Sequence, residues 1–368
     1  MTANRPRIGV VGTGWWATHH HIPGLLEYDG ANLTAICDTD PDRLGRIAAH
    51  FGIDQTFADP MDLFASGLVD GVMIVVPHAY HYPLAKAALD SGLHVFVEKP
   101  MVLRAREAWD LVRTAEANRQ HLTVGYTFHF TPNAQRCRET VQSGRIGDLV
   151  FVSGLFSSMV EQFYRGQTAN ADRGSDAPVD GPGTTTYADP RISGGGQAQT
   201  QITHSMGMVC YVTDRRVSDV AAFMEQRDLA VDLADAIAYR FEGGATGTMG
   251  SIGSLRPKQP HQQELRYYGT AGFVLQDLVT AKVEIHLNDG TIDVLPALPP
   301  EQAYPTHAPG RGFADLIAGR GENLAPPVPA ARTVELLEAA YRSSRLGRVV
   351  RTEELTDPAY DAEDPWRD

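Results

Sequence analysis

Residues 93–100 read Leu-His-Val-Phe-Val-Glu-Lys-Pro, and this segment is the strongest indication of the fold of the first part of the chain. The run 93–97 is apolar at nearly every position, which is typical of a strand buried on both faces of a parallel sheet. It leads directly into Glu98-Lys99-Pro100. Ligands of open α/β sheets bind at the carboxyl ends of the strands, so the sequence predicts that Lys99 lies in a binding site.

Similar apolar runs recur on the N-terminal side of this stretch and just after it. They occupy 7–12, 32–37, 70–76 and 121–125, and amphipathic helical stretches such as 105–117 lie between them. Strands that alternate with helices in this way predict a doubly wound parallel sheet, an α/β fold.

The pattern changes after Gly125. A helix is predicted over 132–142 and another over 330–344. Between them the sequence shows short strands joined by glycine-rich turns, which predicts consecutive hairpins and an α+β domain with a mainly antiparallel sheet. The predicted strands are 217–225, 235–241, 245–252, 263–269, 272–276, 282–287 and 291–295.

These patterns predict a first domain over 1–127, a second over 128–345 and a C-terminal tail over 346–368. Between the helical and hairpin regions, residues 160–196 are rich in Gly, Asp, Thr and Pro and show little periodicity. A loop of this length is usually functional or disordered, and we favour a loop that walls the active site.

Composition narrows the function classes. The 368 residues carry a formal net charge of −13 without a block of like charges, which argues against nucleic acid or an anionic membrane as partner. Cys37, Cys137 and Cys210 have no metal-ligand spacing and predict no disulfide framework. The polar N-terminus predicts no secretory signal, and no apolar run approaches the ~18 residues of a membrane span. We expect a cytoplasmic protein.

A glycine turn follows the first predicted strand. Gly12-x-Gly14-x-x-Ala17 opens the first helix. In such a unit the first glycine permits the tight turn, the second lets the backbone approach a pyrophosphate, and the small residue lets helix and strand pack closely. The helix N-terminus would face the phosphates. The pattern therefore predicts a dinucleotide site.

The second predicted strand ends in Asp38. A carboxylate at this position accepts hydrogen bonds from the adenosine ribose and repels a 2′-phosphate, so we expect NAD rather than NADP. Two alternatives stay open: Asp38 only caps the helix that begins near Pro41, and Arg43 accommodates a phosphate. Trp15 and Trp16 would line the cofactor groove or pack in the core.

A second glycine-rich stretch, 194–204, reads Gly-Gly-Gly-Gln-Ala-Gln-Thr-Gln-Ile-Thr-His. If a helix begins near Gln197, then Gln197, Thr200, Gln201 and His204 share one face. Removal of a hydride from a secondary alcohol needs a base for the hydroxyl proton, which a histidine supplies, and a lysine stabilises the developing alkoxide. We predict His204 and Lys99 in these roles, in a cleft between the domains.

The chain resembles the glucose-fructose oxidoreductase / inositol dehydrogenase / MocA family over nearly all of residues 5–345. The elements that carry the resemblance are Gly12-x-Gly14 with histidines at 19–21, the strand end at Asp38, Pro77-x-x-x-His81, Glu98-Lys99-Pro100, Gly125-Tyr126 and the three glycines before His204. The resemblance implies a Rossmann domain, an α/β domain whose open sheet often forms an oligomer interface, and NAD(P)-dependent chemistry on sugars or cyclitols.

The resemblance also implies residue roles: Lys99 as the catalytic lysine, in a cis bond with Pro100, and His204 as the acid/base. Three positions depart from the family pattern. Thr200 stands where many members have an aspartate, His78 where many have an asparagine, and His129 where an arginine is frequent. A hydroxyl does not support an imidazolium as a carboxylate does, so the substrate cannot be transferred from better-known members.

Further site residues are predicted by location. We expect cofactor contacts from Gly12, Gly14, Trp15, Trp16, Asp38, Pro77, His81, Glu98 and Lys99, and substrate contacts from Tyr126, His129, Tyr164, Arg165, Gln199 and Thr200. Arg165, Arg173 and Arg191 would suit an anionic sugar substituent. No metal site is expected, because the consecutive histidines 19–21 point in different directions on a helix.

The leading hypothesis is an NAD-dependent dehydrogenase that oxidises a ring hydroxyl of a sugar, glycoside or cyclitol. The alternative is an NAD-dependent glycoside hydrolase, in which oxidation at C3 is followed by elimination, water addition and re-reduction with recycled NAD, and whose substrate would be an anionic sugar glycoside. A third class is a regulator that binds the dinucleotide as a signal, against which the presence of both Lys99 and His204 argues. We expect a homodimer or homotetramer.

Overall fold

The computed structural model describes residues 5–167, 179 and 181–356. Within them, the N-terminal strands form a six-stranded parallel sheet in the order β3-β2-β1-β4-β5-β6. This confirms the predicted doubly wound sheet. The strands are β1 (Arg7–Val11), β2 (Asn32–Cys37), β3 (Gln55–Phe57), β4 (Gly71–Ile74), β5 (His94–Val97) and β6 (Leu122–Val124).

Helices flank this sheet: α1 (Ile22–Leu26), α2 (Pro41–Phe51), α3 (Pro60–Ala65), α4 (His81–Asp90) and α5 (Ala105–Asn118). Helix α2 shows how the local sequence sets the boundaries. The Asp40 side chain accepts hydrogen bonds from the first backbone N–H groups, Pro41 occupies the first turn, and Gly52 ends the helix with a φ of 66°. These boundaries place Arg43 in the first turn of α2, beside the end of β2.

The second half is built on a nine-stranded sheet in the described residues, in the order β14-β13-β12-β11-β7-β10-β9-β8-β15. Its strands are β7 (Leu149–Ser157), β8 (Val217–Glu225), β9 (Ala234–Phe241), β10 (Thr246–Ile252), β11 (Gln263–Gly269), β12 (Gly272–Asp277), β13 (Val283–Leu287), β14 (Ile292–Leu295) and β15 (Val350–Arg351). The mainly antiparallel sheet is confirmed.

One pairing differs from the predicted succession of hairpins. Strands β10 and β11 do not pair with each other, because β7 lies between them, parallel to β10 and antiparallel to β11. The remaining helices are α6 (Pro132–Gln142), α7 (Glu161–Tyr164), α8 (Pro190–Ser193), α9 (Thr203–Thr213), α10 (Pro300–Ala303), α11 (Ala308–Ile317) and α12 (Pro327–Leu346).

Helix α12 connects the two halves. It contacts β8 of the second sheet as well as α5 and α9. Its Ser343 Oγ accepts from Ala222 N at 3.0 Å, and its Glu338 Oε2 accepts from Ala105 N at 2.7 Å, at the start of α5. After α12, β15 adds an edge strand beside β8. The rest of the predicted tail, 357–368, lies outside the described residues.

A helix that spans a bilayer must be long and predominantly apolar. None of the helices in the described residues meets both conditions.

Candidate active site

The first glycine turn has the geometry that a dinucleotide needs. Gly12 has a φ of 92°, and its Cα lies so close to the exit of β4 that an added Cβ would collide with the carbonyl oxygen of Val75. Gly14 differs, since a Cβ built there has no heavy atom within 4 Å. The helix begins at Trp15, so its N-terminal end adjoins this open side of the turn. The turn therefore fits a pyrophosphate at Gly14.

Asp38 joins the end of β2 to the glycine turn. Its Oδ2 accepts from Thr13 N at 2.8 Å and from Thr13 Oγ1 at 2.7 Å, and its Oδ1 accepts from Arg43 Nη2 at 2.6 Å. Burial acts to raise the pKa of Asp38, yet these hydrogen bonds outweigh it and hold the pKa below its ordinary value. The helix-cap alternative for Asp38 is wrong, because Asp40 is the residue that caps α2.

Glu98 at the end of β5 is a buried anchor. Its Oε1 accepts from Trp16 Nε1 at 3.1 Å and lies 2.7 Å from His21 Nε2. Burial acts to raise the pKa of Glu98, but the contacts with His21 and Lys99 bring the pKa below its usual value. His21 was not predicted as a site residue. Its sequence signal is its place in the run of three histidines 19–21, and the structure places this run in a turn of π-helix, Ala17–His21. Trp15 packs edge-on against Trp16.

Lys99 reaches from the first domain into the second. Its Nζ donates to the main-chain oxygen of Thr200 at 3.2 Å, and the Lys99–Pro100 bond is cis. Burial lowers the pKa of Lys99, and the Glu98 carboxylate partly opposes this. The lysine is thereby placed beside the segment that leads to His204.

The segment that follows β4, up to His81 at the start of α4, contacts the backbone next to Lys99. Both ring nitrogens of His81 contact main-chain oxygens, at 2.8 Å from Pro100 O and 2.9 Å from Val76 O. His78 Nδ1 lies 2.7 Å from Ser193 O, so this loop contacts the second domain. Burial lowers the pKa of both histidines. Pro77 precedes His78 and is half-buried.

The second glycine stretch does not lead into a regular α-helix. Residues Ala198–Ile202 form a π-helix, and α9 begins only at Thr203. The wider turn corrects the predicted shared face. Gln197 Oε1 and Thr200 Oγ1 both contact the hydroxyl of Tyr164, at 3.3 and 2.6 Å, whereas His204 lies among other neighbours.

His204 sits in an aromatic cage. Its ring lies 5.6 Å from the ring centroid of Phe128, 6.4 Å from that of Phe156 and 6.3 Å from that of Tyr304. Its Nδ1 has no hydrogen-bond partner among the described residues. Burial, together with the charge of Lys99, holds the pKa of His204 well below 6.5. His204 is therefore a neutral imidazole at neutral pH.

Two predicted substrate residues turn out to be packing residues. The Tyr126 ring lies against Gly207 and its hydroxyl contacts Thr203 Oγ1 at 3.1 Å, so it is committed to the start of α9. His129 stacks between Tyr126 and Tyr211, with ring centroids 5.1 and 4.2 Å away, and is 2% exposed. Both residues lie near the predicted boundary between the two domains, a position that suggests a substrate contact. In the structure their side chains point into the core instead.

The arginines predicted for an anionic substituent already have carboxylate partners. Arg165 pairs with Glu161 at 2.7 Å and with Asp228 at 2.8 Å, and Arg191 pairs with Asp189 at 2.7 Å. Arg173 lies outside the described residues. In the described part of the chain, no group of three or more His, Cys, Asp or Glu side chains could hold a metal ion.

Family comparisons match both halves of the chain. A model of an oxidoreductase family with an NAD-binding Rossmann fold matches residues 6–126, and a model of the GFO/IDH/MocA C-terminal domain matches residues 134–275.

Curated relatives are dehydrogenases and a glycosidase. The chain is 27% identical over 274 residues to 1-carboxy-3-chloro-3,4-dihydroxycyclohexa-1,5-diene dehydrogenase of Comamonas testosteroni, covering 70% of this chain and 64% of that one. It is 36% identical over 155 residues to a glycosyl hydrolase family 109 protein of Shewanella amazonensis, covering 39% and 33%. It is 31% identical over 150 residues to inositol 2-dehydrogenase of Corynebacterium glutamicum, covering 40% and 44%. The chain thus spans less than two thirds of the length of each of these relatives.

Among solved structures, the fold is similar to that of an oxidoreductase from Agrobacterium radiobacter in complex with NAD+, L-tartaric acid and magnesium. The TM-score is 0.75 at 21% sequence identity, over 95% of this chain and 99% of that one. At this identity the likeness shows the fold alone.

Proposed function

Since the chain belongs to the Gfo/Idh/MocA family of oxidoreductases and carries its NAD-binding Rossmann domain, we propose that it is a dehydrogenase of cyclic polyols. The reaction is oxidation of a ring hydroxyl in a sugar, glycoside or cyclitol, with NAD as the acceptor. The match to an inositol 2-dehydrogenase supports a cyclitol or sugar ring as the substrate class.

The observation that carries the proposal is the contact between Lys99 and the segment that bears His204. Lys99 Nζ donates to Thr200 O at 3.2 Å, four residues before His204. A half-buried lysine and a buried, neutral histidine therefore approach each other from two different domains. Paired groups of this kind suit proton removal from a hydroxyl and stabilisation of the alkoxide that forms.

The cofactor would be held by residues at the edge of the first sheet. Gly12 and Gly14 would accept the pyrophosphate, and Asp38 would accept hydrogen bonds from the adenosine ribose. Trp15 and Trp16 border the same turn, and Glu98 directly precedes Lys99. Pro77 and His81 belong to the segment after β4 that contacts Pro100 O. When bound, NAD supplies the acceptor for the hydride.

Lys99 and His204 divide the proton chemistry. Lys99 donates a hydrogen bond to the substrate oxygen and stabilises its negative charge as the O–H bond breaks. The imidazole of His204 accepts the hydroxyl proton on the nitrogen opposite the unpartnered Nδ1. The C–H bond breaks with its electron pair as the carbonyl forms, so one alcohol yields one ketone, one hydride and one proton.

The opposite wall of the site would come from the Tyr164 cluster. Tyr164 and Thr200 are hydrogen-bonded to each other, and Gln199 directly precedes Thr200 in the same π-helix. We propose these three as the substrate-facing wall, with Tyr164 holding Thr200 so that its carbonyl faces Lys99. Arg165 stays on the outer side, bound to its two carboxylates.

A second candidate is favoured by the 36% identical glycosyl hydrolase family 109 relative. In that reaction a ketone at C3 makes the C2–H acidic, a base removes the C2 proton, and the C1 substituent leaves. Water addition at C1 and return of the hydride to C3 then restore NAD. The same Lys99 and His204 would serve the first and last steps.

A paired assay separates the two candidates. The purified protein is incubated with NAD and a panel of free sugars, cyclitols and glycosides, and NADH absorbance and released reducing sugar are followed together. Stoichiometric NADH with one class supports the dehydrogenase. Release of the aglycone without net NADH supports the hydrolase and contradicts the dehydrogenase.

We also propose that the nine-stranded sheet forms a subunit interface. Phe223 is 82% exposed, and Leu155 lies in the same row of paired residues across β8, β9, β10 and β7. The partner side chains between them are small, Ala236 and Gly250. An apolar row on an open sheet face suits a second copy of the chain, in a homodimer or homotetramer.

A further inference from the structure

The turn before the π-helix is shaped by two residues that are distant in sequence. A Cβ at Gly196 would collide with the main-chain oxygen of Asp232, and a Cβ at Gly195 would collide with the Tyr341 hydroxyl. Gly195 also has a φ of 143°. Asp232 lies in the connection between β8 and β9, and Tyr341 lies on α12. The glycines therefore let these two residues approach the backbone.

Asp232 and Tyr341 satisfy the N–H groups that open the helix. Asp232 Oδ1 accepts from Gly196 N and Oδ2 accepts from Ala198 N, both at 2.7 Å. The main-chain oxygen of Asp232 accepts from Gln197 N at 2.9 Å. Tyr341 donates to Asp232 Oδ1 at 2.7 Å and accepts from Gln199 N at 3.1 Å.

The next N–H belongs to the helix itself, because Thr200 N donates to Gly196 O at 2.9 Å. The first N–H groups of a helix have no intrahelical partner and are usually satisfied by several side chains or by water. In this chain the carboxylate and main-chain oxygen of Asp232, together with the Tyr341 hydroxyl, satisfy them all from 196 to 199. The carboxylate also lies at the positive end of the helix, where a negative charge is stabilised.

We propose that Asp232 and Tyr341 are positioning residues for catalysis. By fixing the backbone of 196–199 they set the place of the Thr200 carbonyl, which receives Lys99, and of His204 one turn later. Asp232 does not contact the reacting atoms; it acts through the helix. The catalytic part of this inference rests on the proposed dehydrogenase function.

We call the hydrogen bonds from the N–H groups of 196–199 to Asp232 and Tyr341 the cap. Asp232→Asn tests the cap directly, because the side-chain amide turns an NH2 group toward at least one N–H whose hydrogen bond the carboxylate accepts. Asp219→Asn is the matched control. Asp219 lies on β8, where its Oδ2 accepts from Ser218 Oγ at 2.7 Å and lies 4.0 Å from Arg240 Nη1. Tyr341→Phe keeps the ring beside Gly195 and removes only the hydroxyl, so it tests the cap if Asp232→Asn does not fold.

The first readout needs no substrate. Hydrogen–deuterium exchange followed by mass spectrometry is measured on peptides that cover 196–204. Loss of one such hydrogen bond corresponds to about tenfold faster exchange in Asp232→Asn, with a smaller acceleration in Tyr341→Phe and none in Asp219→Asn. Unchanged exchange in both Asp232→Asn and Tyr341→Phe overturns the cap.

The second readout is the primary deuterium isotope effect on kcat with substrate deuterated at the oxidised carbon. We expect kcat to fall about tenfold in Asp232→Asn with an increased isotope effect, because a misplaced Lys99 and His204 slow the chemical step, while the NAD dissociation constant stays the same. Faster exchange with an unchanged kcat and isotope effect means that the cap is only structural and overturns the positioning role. Failure of the proposed function is distinct, since it shows as absence of NADH formation in the wild-type protein.

Discussion

Two glycine turns lead into the two helices of the site, and the two helices begin in opposite ways. After Gly12 the turn is open at Gly14, where an added Cβ meets no atom within 4 Å. After Gly194 the turn is closed, because the N–H groups of 196–199 are bonded to Asp232 and Tyr341. Both helices then contain a π-helical turn, at Ala17–His21 and Ala198–Ile202.

A glycine turn before a helix N-terminus thus has two different roles in this chain. An open helix N-terminus offers its N–H groups to an anionic ligand, here the cofactor phosphates. An N-terminus capped by the protein has no N–H to offer, so its effect is to fix the side chains that follow. Lys99 joins the two regions through its contact with Thr200 O.

Removal of Lys99 should break the link between the two regions with the largest effect. Lys99→Met removes the donor to the developing alkoxide, and we expect kcat/KM to fall by about 10³-fold. The NAD dissociation constant, measured by fluorescence titration, should change little because the glycine turn is intact.

Lys86→Met is the matched control for this substitution. Lys86 is a surface lysine paired with Asp90 at 2.6 Å, so its loss should leave both constants unchanged. A Lys99→Met protein with wild-type turnover would contradict the assigned role.

Removal of the base on the capped helix should have the next largest effect. We expect His204→Gln to lower kcat/KM by about 10²-fold, near the low end for general bases, because no partner of Nδ1 among the described residues strengthens the imidazole. His50→Gln, an exposed histidine on α2, serves as control.

The pH profile sharpens the same prediction. The pKa of His204 is depressed, so its neutral form persists as pH falls below 6.5, and kcat/KM of the wild type should decline only at still lower pH. The substitution should abolish this acidic limb. An acidic limb near pH 6.5 that persists in His204→Gln would assign the base elsewhere.

Replacing one glycine by alanine in each of the two turns allows their roles in NAD binding and in stability to be compared directly. Gly14→Ala should weaken NAD binding about tenfold, because the Cβ enters the space where the pyrophosphate approaches, with an unchanged Tm. Gly196→Ala should instead lower the free energy of unfolding by about 1–3 kcal/mol, because its Cβ meets Asp232 O. Titration with NAD and thermal denaturation of both variants would show whether the effects separate; equal effects on both quantities would remove the distinction.

The preference for NAD over NADP should depend on Asp38, the carboxylate next to the Gly12–Gly14 turn. Asp38→Ser removes the ribose acceptor and releases the Arg43 guanidinium for a 2′-phosphate, so the ratio of NADP to NAD affinity should rise about tenfold. Asp40→Ser is the control, because serine can still cap α2, so the substitution removes only the carboxylate that lies 3.5 Å from Arg43 Nη1 and leaves Asp38 in place. The same shift in both variants would point to Arg43 alone.

A substitution that disrupts subunit association should have the smallest effect on turnover. Phe223→Asp places a charge on the exposed row of the second sheet, and we expect light scattering to show a smaller assembly with nearly wild-type turnover. A wild-type protein that is monomeric at assay concentrations would contradict the proposed interface.

Much of the fold was accessible from local sequence. Helix α6 begins and ends as predicted, since Thr131 caps it and Pro132 occupies its first turn. Strand β3 escaped prediction because Gln55–Phe57 is short and mostly exposed. The insertion of β7 between β10 and β11 escaped it because strand pairing across about a hundred residues leaves no local pattern.

The site was accessible only where side-chain chemistry is visible. Lys99, His204 and Asp38 are predicted from motif and spacing. The partner of Lys99 is a main-chain oxygen, which has no signature in sequence. The cap by Asp232 depends on a close approach between distant segments, and the π-helix changes which residues share a face. Tyr126 and His129 show the opposite error, since position near a domain boundary does not say where a ring points.

The most direct test of the central claim is a single turnover. NAD-saturated wild-type, Lys99→Met and His204→Gln proteins are mixed with the sugar, cyclitol or glycoside that gives the strongest response, and NADH formation is followed in rapid mixing. We expect a transient or lasting formation of NADH in the wild type that is strongly slowed in both variants, although each still binds NAD. NADH formation at the wild-type rate in both variants would contradict it.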